Sequence, residues 1–171
     1  CIRDSDYTHE ADMCRRFYEH VAHMEPHGLR FEVPRVVDTL STKRILTAEF
    51  LRGRPLTQAA HMGQTARDKN AHAIMELSLR ELFDWHLMQT DPNWTNFLYH
   101  HERQSIQLID FGATRDYSSD FIALWLKLLR AAVSGDRAQC EHWSVQIGYL
   151  TGHESEVRIP PANDRPCARL M

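Results

Sequence analysis

The sequence is short of basic charge, long apolar runs, paired cysteines and glycine-rich loops, and each shortage removes a class of function. Its 20 lysine and arginine residues are outnumbered by 23 aspartate and glutamate residues, for a net charge of -3 and a pI near 6.4. No basic surface therefore argues for nucleic acid. No apolar run approaches the roughly 18 residues that cross a bilayer, and the opening residues lack the apolar core of a secretion signal. The four cysteines (Cys1, Cys14, Cys140, Cys167) are scattered without a C-x-x-C pair, which suits a reducing compartment better than a disulfide scaffold. Histidine is plentiful, at 11 residues. Yet His20, His23 and His27, the set at helical intervals, are broken by Pro26 and Gly28 and gain no cysteine or acid to complete a zinc site. G-x-G-x-x-G does not occur, and Lys43, Lys69 and Lys127, the only lysines, all follow the first predicted helix. What is there is a globular chain of about one domain, with 43% hydrophobic and 25% charged residues in 171. Starting at Cys1 rather than Met, it reads as a fragment or a processed product.

Apolar periodicity predicts a helix over 7–21, carried by Tyr7, Ala11, Cys14, Phe17, Tyr18 and Val21 and stopped by "MEPHG". "FEVPRVVDTLS" and "KRILTAEFL" read as two short strands with a turn near Ser41 and Thr42, and "RGRP" reads as a connector. Thr65 with Asp68 resembles a capping box opening a long helix, with Met75, Leu79, Leu82, Phe83 and Leu87 on one face and Pro92 barring its extension past Thr90. "NFLY" and "SIQLI" predict a hairpin around "HHERQ". Two more helices follow. Phe121, Leu124, Trp125 and Leu128 form one stripe behind an Asp120 N-cap. Cys140, Trp143, Ile147 and Leu150 form the other behind Asp136. The tail "RIPPANDRPCARLM" reads as irregular. The order gives an α+β fold.

Among the strand formers of "QTDPNWTNFLYHHERQSIQLIDFG" stand Asp91, Asn96 and Asp110. These are oxygen ligands suited to Mg²⁺ rather than zinc. Phosphoryl transfer in kinases uses such a set: an Asp to receive the hydroxyl proton, an Asn after four intervening residues, and the Asp of D-F-G for the metal. Asp91 and Asn96 meet that interval, and a hairpin returns the chain so that Asp110 can face Asn96. The plainer reading has Asp91 capping a turn before Pro92 and "DFG" closing a hairpin. Trp94, inside this loop, is expected to pack it down, while Trp85, Trp125 and Trp143 belong to helix packing.

"MQTDPNWTNFLY" and "LIDFGATRDY" resemble the UbiB (aarF-domain) family of atypical kinases, and within it the mitochondrial, coenzyme Q-linked branch. Bacterial relatives usually show "HADPHPGN" where this chain has "QTDPNWTN". The resemblance runs from about Asp4 to Val157 and implies a partial protein kinase-like fold. Residues 1–51 would be the remnant of the small lobe, 52–56 the hinge, 57–157 part of the helical large lobe and 158–171 an irregular tail. It implies ATP and Mg²⁺ as cofactors, with Asp91 catalytic and Asn96 and Asp110 on the metal. Phe111 and Gly112 would lie beside the nucleotide. "LTAEFLRGRPL" resembles the adenine hinge, so that Glu49, Phe50 and Leu51 would offer backbone groups to the base; an ordinary edge strand would read the same way. "RDSDYTHEA" resembles the family's E-x-D-Y-x-x-E-A segment, with Asp4 and Asp6 as its acids, Asp4 standing where the family has Glu. Two solvated acids near a helix N-terminus are the alternative.

The resemblance further implies an atypical kinase or ATPase supporting coenzyme Q biosynthesis, with a small-molecule or lipid-like substrate. Coenzyme Q assembly proteins would be its partners, with peripheral membrane association at the matrix side of the mitochondrial inner membrane. The chain departs from the family in carrying no K-x-G-Q segment and no lysine ahead of its first helix. By itself it is therefore expected to bind MgATP weakly or not at all. A catalytically silent scaffold is the second reading. A small-molecule kinase of the aminoglycoside or choline type is the third, and Gln89-Thr90 and Phe111-Gly112 argue against it.

Overall fold

The computed structural model describes residues 7–22, 24 and 26–151, with the side chains of 59–61 left aside. The chain forms two compact units, one ending at Ser118 and the other beginning at Ser119.

In the first unit, α1 (Tyr7–Val21) buries Ala11, Met13, Cys14, Phe17 and Val21 on the face predicted from spacing. Tyr18, placed on that stripe, is exposed instead and accepts a hydrogen bond from Arg35. A four-stranded sheet lies in the order β1-β5-β4-β2. β4 (Phe97–His100) and β5 (Ser105–Leu108) form the expected antiparallel hairpin, with Phe97 opposite Leu108. β1 (Arg30–Glu32) joins β5 in parallel, Phe31 opposite Ile106, and β2 (Arg54–Pro55) pairs antiparallel with β4. Phe17, Leu29, Phe31, Leu77, Leu87, Ile106 and Leu108 belong to one buried cluster.

The second expected strand, "KRILTAEFL", does not form. Only isolated bridges occur there, Val36 with Ala48 and Thr42 with Ile45. Pro34 interrupts the ladder. The Ser41 hydroxyl then donates to the Val37 carbonyl at 2.9 Å and accepts from the Thr47 amide at 3.0 Å, so a side chain takes the place of strand pairing.

α2 (Gln64–Phe83) starts after an N-cap at Gly63, not at a Thr65 capping box: the amides of Ala66 and Arg67 both reach the Gly63 carbonyl, and Asp68 bonds Gln64. Its buried face also differs from the predicted stripe. Asn70, Ala73, Leu77 and Glu81 point inward, whereas Met75 and Leu79 are 63% and 52% exposed. The helix stops at Phe83, and Leu87 belongs to β3 (Leu87–Gln89), which pairs antiparallel with β6 (Thr114–Asp116).

The second unit is a helical pair, α3 (Ser119–Ser134) and α4 (Arg137–Ile147). Asp120 lies inside the first turn of α3 rather than at its N-cap, still favourably placed toward the helix dipole. Asp136 caps α4 as expected, accepting from the Gln139 amide at 3.0 Å, and Gly148 ends it at φ 89°, a left-handed conformation that suits glycine. Trp125 meets Tyr149 edge-on at 5.6 Å, and the Lys127 ammonium lies 4.6 Å from the Trp143 ring. Among the described residues no helix is long and apolar enough to cross a membrane.

Candidate active site

The stretch that carries Asp91, Asn96 and Asp110 is folded by its own short-range bonds. Pro92 keeps the chain out of a helix after Thr90. The Asn93 amide then donates to the Asp91 carbonyl at 2.7 Å, and the Asn93 side chain accepts from Thr95 at 3.0 Å. This opens a single helical turn, Trp94–Asn96, that delivers Asn96 back toward Asp91. The Asn96 amide nitrogen donates to the Asp91 carbonyl at 3.3 Å. Trp94 does not pack the loop down; it is 53% exposed, with its ring 6.3 Å from that of Phe97.

Asp110 reaches the same place through the hairpin. The Ile109 amide donates to the Asn96 carbonyl at 3.2 Å, so Asp110 follows a residue bonded to Asn96. Two further ties join the segments. Gln89 accepts from the Asp91 amide and donates to the Asp110 carbonyl at 3.4 Å. The Thr90 hydroxyl donates to the Ala113 carbonyl at 2.7 Å. Asp91 is exposed, while Asn96 and Asp110 are half-buried.

The Asp110 carboxylate accepts from the Gly112 amide at 3.0 Å through Oδ1. Beside it stands Glu10 of α1, whose carboxylate accepts from the Phe111 backbone amide. Burial raises the Glu10 carboxyl above the ordinary glutamate range, and the negative charge of Asp110 raises it further. Glu10 is not among the residues the motifs single out, yet it lies on the stripe of Cys14, Phe17 and Val21, an acid on a face otherwise apolar. Asp4 and Asp6 lie outside the described residues. Phe111 is buried in the core, its ring 5.1 Å from that of Phe17, and Gly112 is exposed.

The donor chemistry fits a hard divalent cation. One Asp110 oxygen bonds Gly112, leaving the other available, and the Asn96 amide supplies a further oxygen. Among the described residues no three His, Cys, Asp or Glu side chains converge, so phosphate oxygens or water would complete the shell.

Of the three residues expected at a hinge, Glu49 has its amide committed to the Arg35 carbonyl at 2.8 Å. Phe50 is 83% exposed and Leu51 half-buried. The connector is held to the sheet by Gln107, which is 1% exposed. Its amide accepts from the Gly53 N–H at 2.8 Å and donates to Glu32 at 2.7 Å. A cleft of about 550 Å³ beside it is lined by Arg52, Arg54, Tyr99, His100 and His101 and does not include the three site residues.

A mixed α/β core with an Asp-x4-Asn loop tied to a D-F-G turn defines a kinase-like fold. The chain belongs to the ABC1 atypical kinase-like domain family, whose model matches residues 2–144. It is 40% identical over 154 residues to the mitochondrial atypical kinase COQ8B of Danio rerio, covering 90% of this chain and 24% of that protein. It is 37% identical to mitochondrial atypical kinase coq-8 of Caenorhabditis elegans, covering 91% of this chain and 20% of the relative. With mitochondrial atypical kinase COQ8 of Saccharomyces cerevisiae the identity is 39%, over 90% of this chain and 30% of the relative. Among solved structures, the Rv3197–erythromycin complex from Mycobacterium tuberculosis superposes with a TM-score of 0.69 at 25% identity, covering 91% of this chain and 38% of that one. The chain thus spans less than a third of the length of these COQ8 relatives.

Proposed function

We propose that this chain carries the acid-and-metal half of a Mg²⁺-dependent kinase or ATPase site that acts in coenzyme Q biosynthesis in mitochondria. The observation that carries the reading is the bonding of the loop: Gln89 and the Asn96–Ile109 contact gather Asp91, Asn96 and Asp110 at one end of the β4–β5 hairpin. The relatives' names supply the setting, since the COQ8 proteins are atypical kinases of mitochondria.

On this reading MgATP supplies the transferable phosphoryl group. Asp91, exposed at the loop, accepts the proton of the attacking hydroxyl or water. Asn96 and Asp110 hold the metal through their side-chain oxygens, and Gly112 presents backbone beside the phosphates. Phe111 serves by anchoring the turn in the core. The backbone of Phe50 and Leu51 meets the adenine, with Glu49 held back by its bond to Arg35. Residues 1–51 then correspond to the end of a small lobe, 52–56 to the hinge and 57–157 to part of the large lobe. Asp4 and Asp6 would be the acids of the E-x-D-like segment that precedes Tyr7 in the sequence. The acceptor is a small or lipid-like molecule, which accords with peripheral attachment at the matrix face of the inner membrane and with coenzyme Q assembly proteins as partners.

In the complete gene product, Asp110→Asn should abolish Mg²⁺-dependent nucleotide turnover, a loss of at least about 100-fold, because charge stabilisation at the phosphates depends on the metal. Phosphate release measured against Mg²⁺ concentration checks this, and unchanged turnover refutes the metal assignment.

A further inference from the structure

Buried glutamates are rare unless partnered, and Glu81 is 5% exposed on the inner face of α2, which also carries Ala73 and Leu77. An apolar residue would fit that face better on packing grounds alone. Its partner is the Gln89 backbone, whose N–H donates to Glu81 Oε2 at 3.0 Å. From the same residue the Gln89 side chain accepts from the Asp91 N–H and donates to the Asp110 carbonyl at 3.4 Å. The orientation of that amide follows from its partners. Asp91 offers a donor and Asp110 an acceptor, so a flipped amide would oppose donor to donor and acceptor to acceptor. One residue thus joins α2, the Asp91 loop and the D-F-G turn.

We propose that Glu81 and Gln89 form a positioning strut that sets the separation of Asp91 and Asp110. Neither residue touches the reacting atoms. Glu81 fixes the height of Gln89 against α2, and the Gln89 amide spans the two aspartate backbones. The inference rests on the kinase reading, in which Asp91 takes the proton and Asp110 holds the metal. A site of this kind loses rate steeply when its groups shift by about 1 Å.

The test compares variants of the complete gene product. Gln89→Leu keeps the bulk and removes both bonds. Turnover should fall at least about tenfold, and the Mg²⁺ concentration for half-maximal rate should rise severalfold, while the KM for ATP at saturating Mg²⁺ moves less than about threefold. Gln89→His should recover most of the rate, because an imidazole also offers one donor and one acceptor. Glu81→Leu should mimic Gln89→Leu, whereas Glu81→Gln, which retains an acceptor for the Gln89 amide, should keep most of the rate. Should Gln89→Leu fail to fold, Gln89→Glu keeps the acceptor for Asp91 and loses the donor to Asp110. A raised Mg²⁺ requirement is then expected, and an unaltered one overturns the strut. Asp110→Asn is run alongside. If it abolishes turnover while Gln89→Leu leaves rate and Mg²⁺ requirement within about twofold, the strut is refuted and the kinase reading stands. If Asp110→Asn is itself fully active, the kinase reading falls and the strut with it.

Discussion

At the scale of single residues, Glu81 has the chemistry least like its surroundings. Burial pushes its carboxyl up to about 8, and the Gln89 N–H offsets only part of that rise. The folded value lies above the unfolded one, so between roughly pH 4.5 and 8 the native chain keeps a proton that the unfolded chain has released. Stability that is fully present below this window is lost as pH rises through it, with a slope of at most about 1.4 kcal/mol per pH unit. Glu81→Gln removes the titration. Urea unfolding across the window should show native-sequence stability falling with pH and a flatter profile for the variant. Glu10 shifts in the same direction in both proteins and cancels from the comparison. Parallel profiles would mean that Glu81 ionises freely in the fold. Part of the site was nonetheless illegible in the sequence. Asp91, Asn96 and Asp110 announce themselves by spacing and Glu10 by its place on an apolar stripe, whereas Glu81 matters through burial, which no short motif reports.

At the scale of elements, the close approach of the connector to the sheet makes a sharper demand than its sequence suggests. A Cβ on Gly53 would lie 2.6 Å from Gln107 Oε1 and 2.7 Å from Leu98 Cβ. Neither neighbour yields cheaply, because Gln107 is held by Glu32 and Gly53, and Leu98 lies in the β4–β5 ladder. Gly53→Ala should therefore destabilise the protein by about 1–3 kcal/mol, read as a lower denaturant midpoint at unchanged slope. A shift under about 0.5 kcal/mol would show that the connector moves aside. Elements that close over a few residues were legible in the sequence: α1 from its stripe, the β4–β5 hairpin from its polar tip, α4 from Asp136. Those that depend on distant partners were not. β1 pairs with β5 across more than seventy residues, and the β3–β6 pairing left no local trace. The face of α2 was misread because its inward positions include polar Asn70 and Glu81, while Met75 and Leu79 look out.

At the scale of the whole molecule, the similarity is deep over this chain and narrow over its relatives: 90% of the chain corresponds to 24% of one relative and 30% of another. A triphosphate carries several negative charges and needs cations besides the metal. Of the first unit's lysines, Lys43 sits in the Thr42–Ile45 turn and Lys69 on α2 beside Gly28. Arg16, close in sequence to Glu10, is engaged with Asp116. On the proposed reading, Asp91, Asn96 and Asp110 supply a cation site and a proton acceptor, and the cations for the nucleotide's phosphates come from elsewhere. The 171 residues by themselves should bind MgATP with a dissociation constant weaker than about 1 mM, by isothermal titration. A cooperative melt of the same sample separates weak affinity from failure to fold. Micromolar affinity for the 171 residues would mean that the loop, the D-F-G turn and the Phe50–Leu51 segment suffice for the nucleotide, with no cations needed from elsewhere.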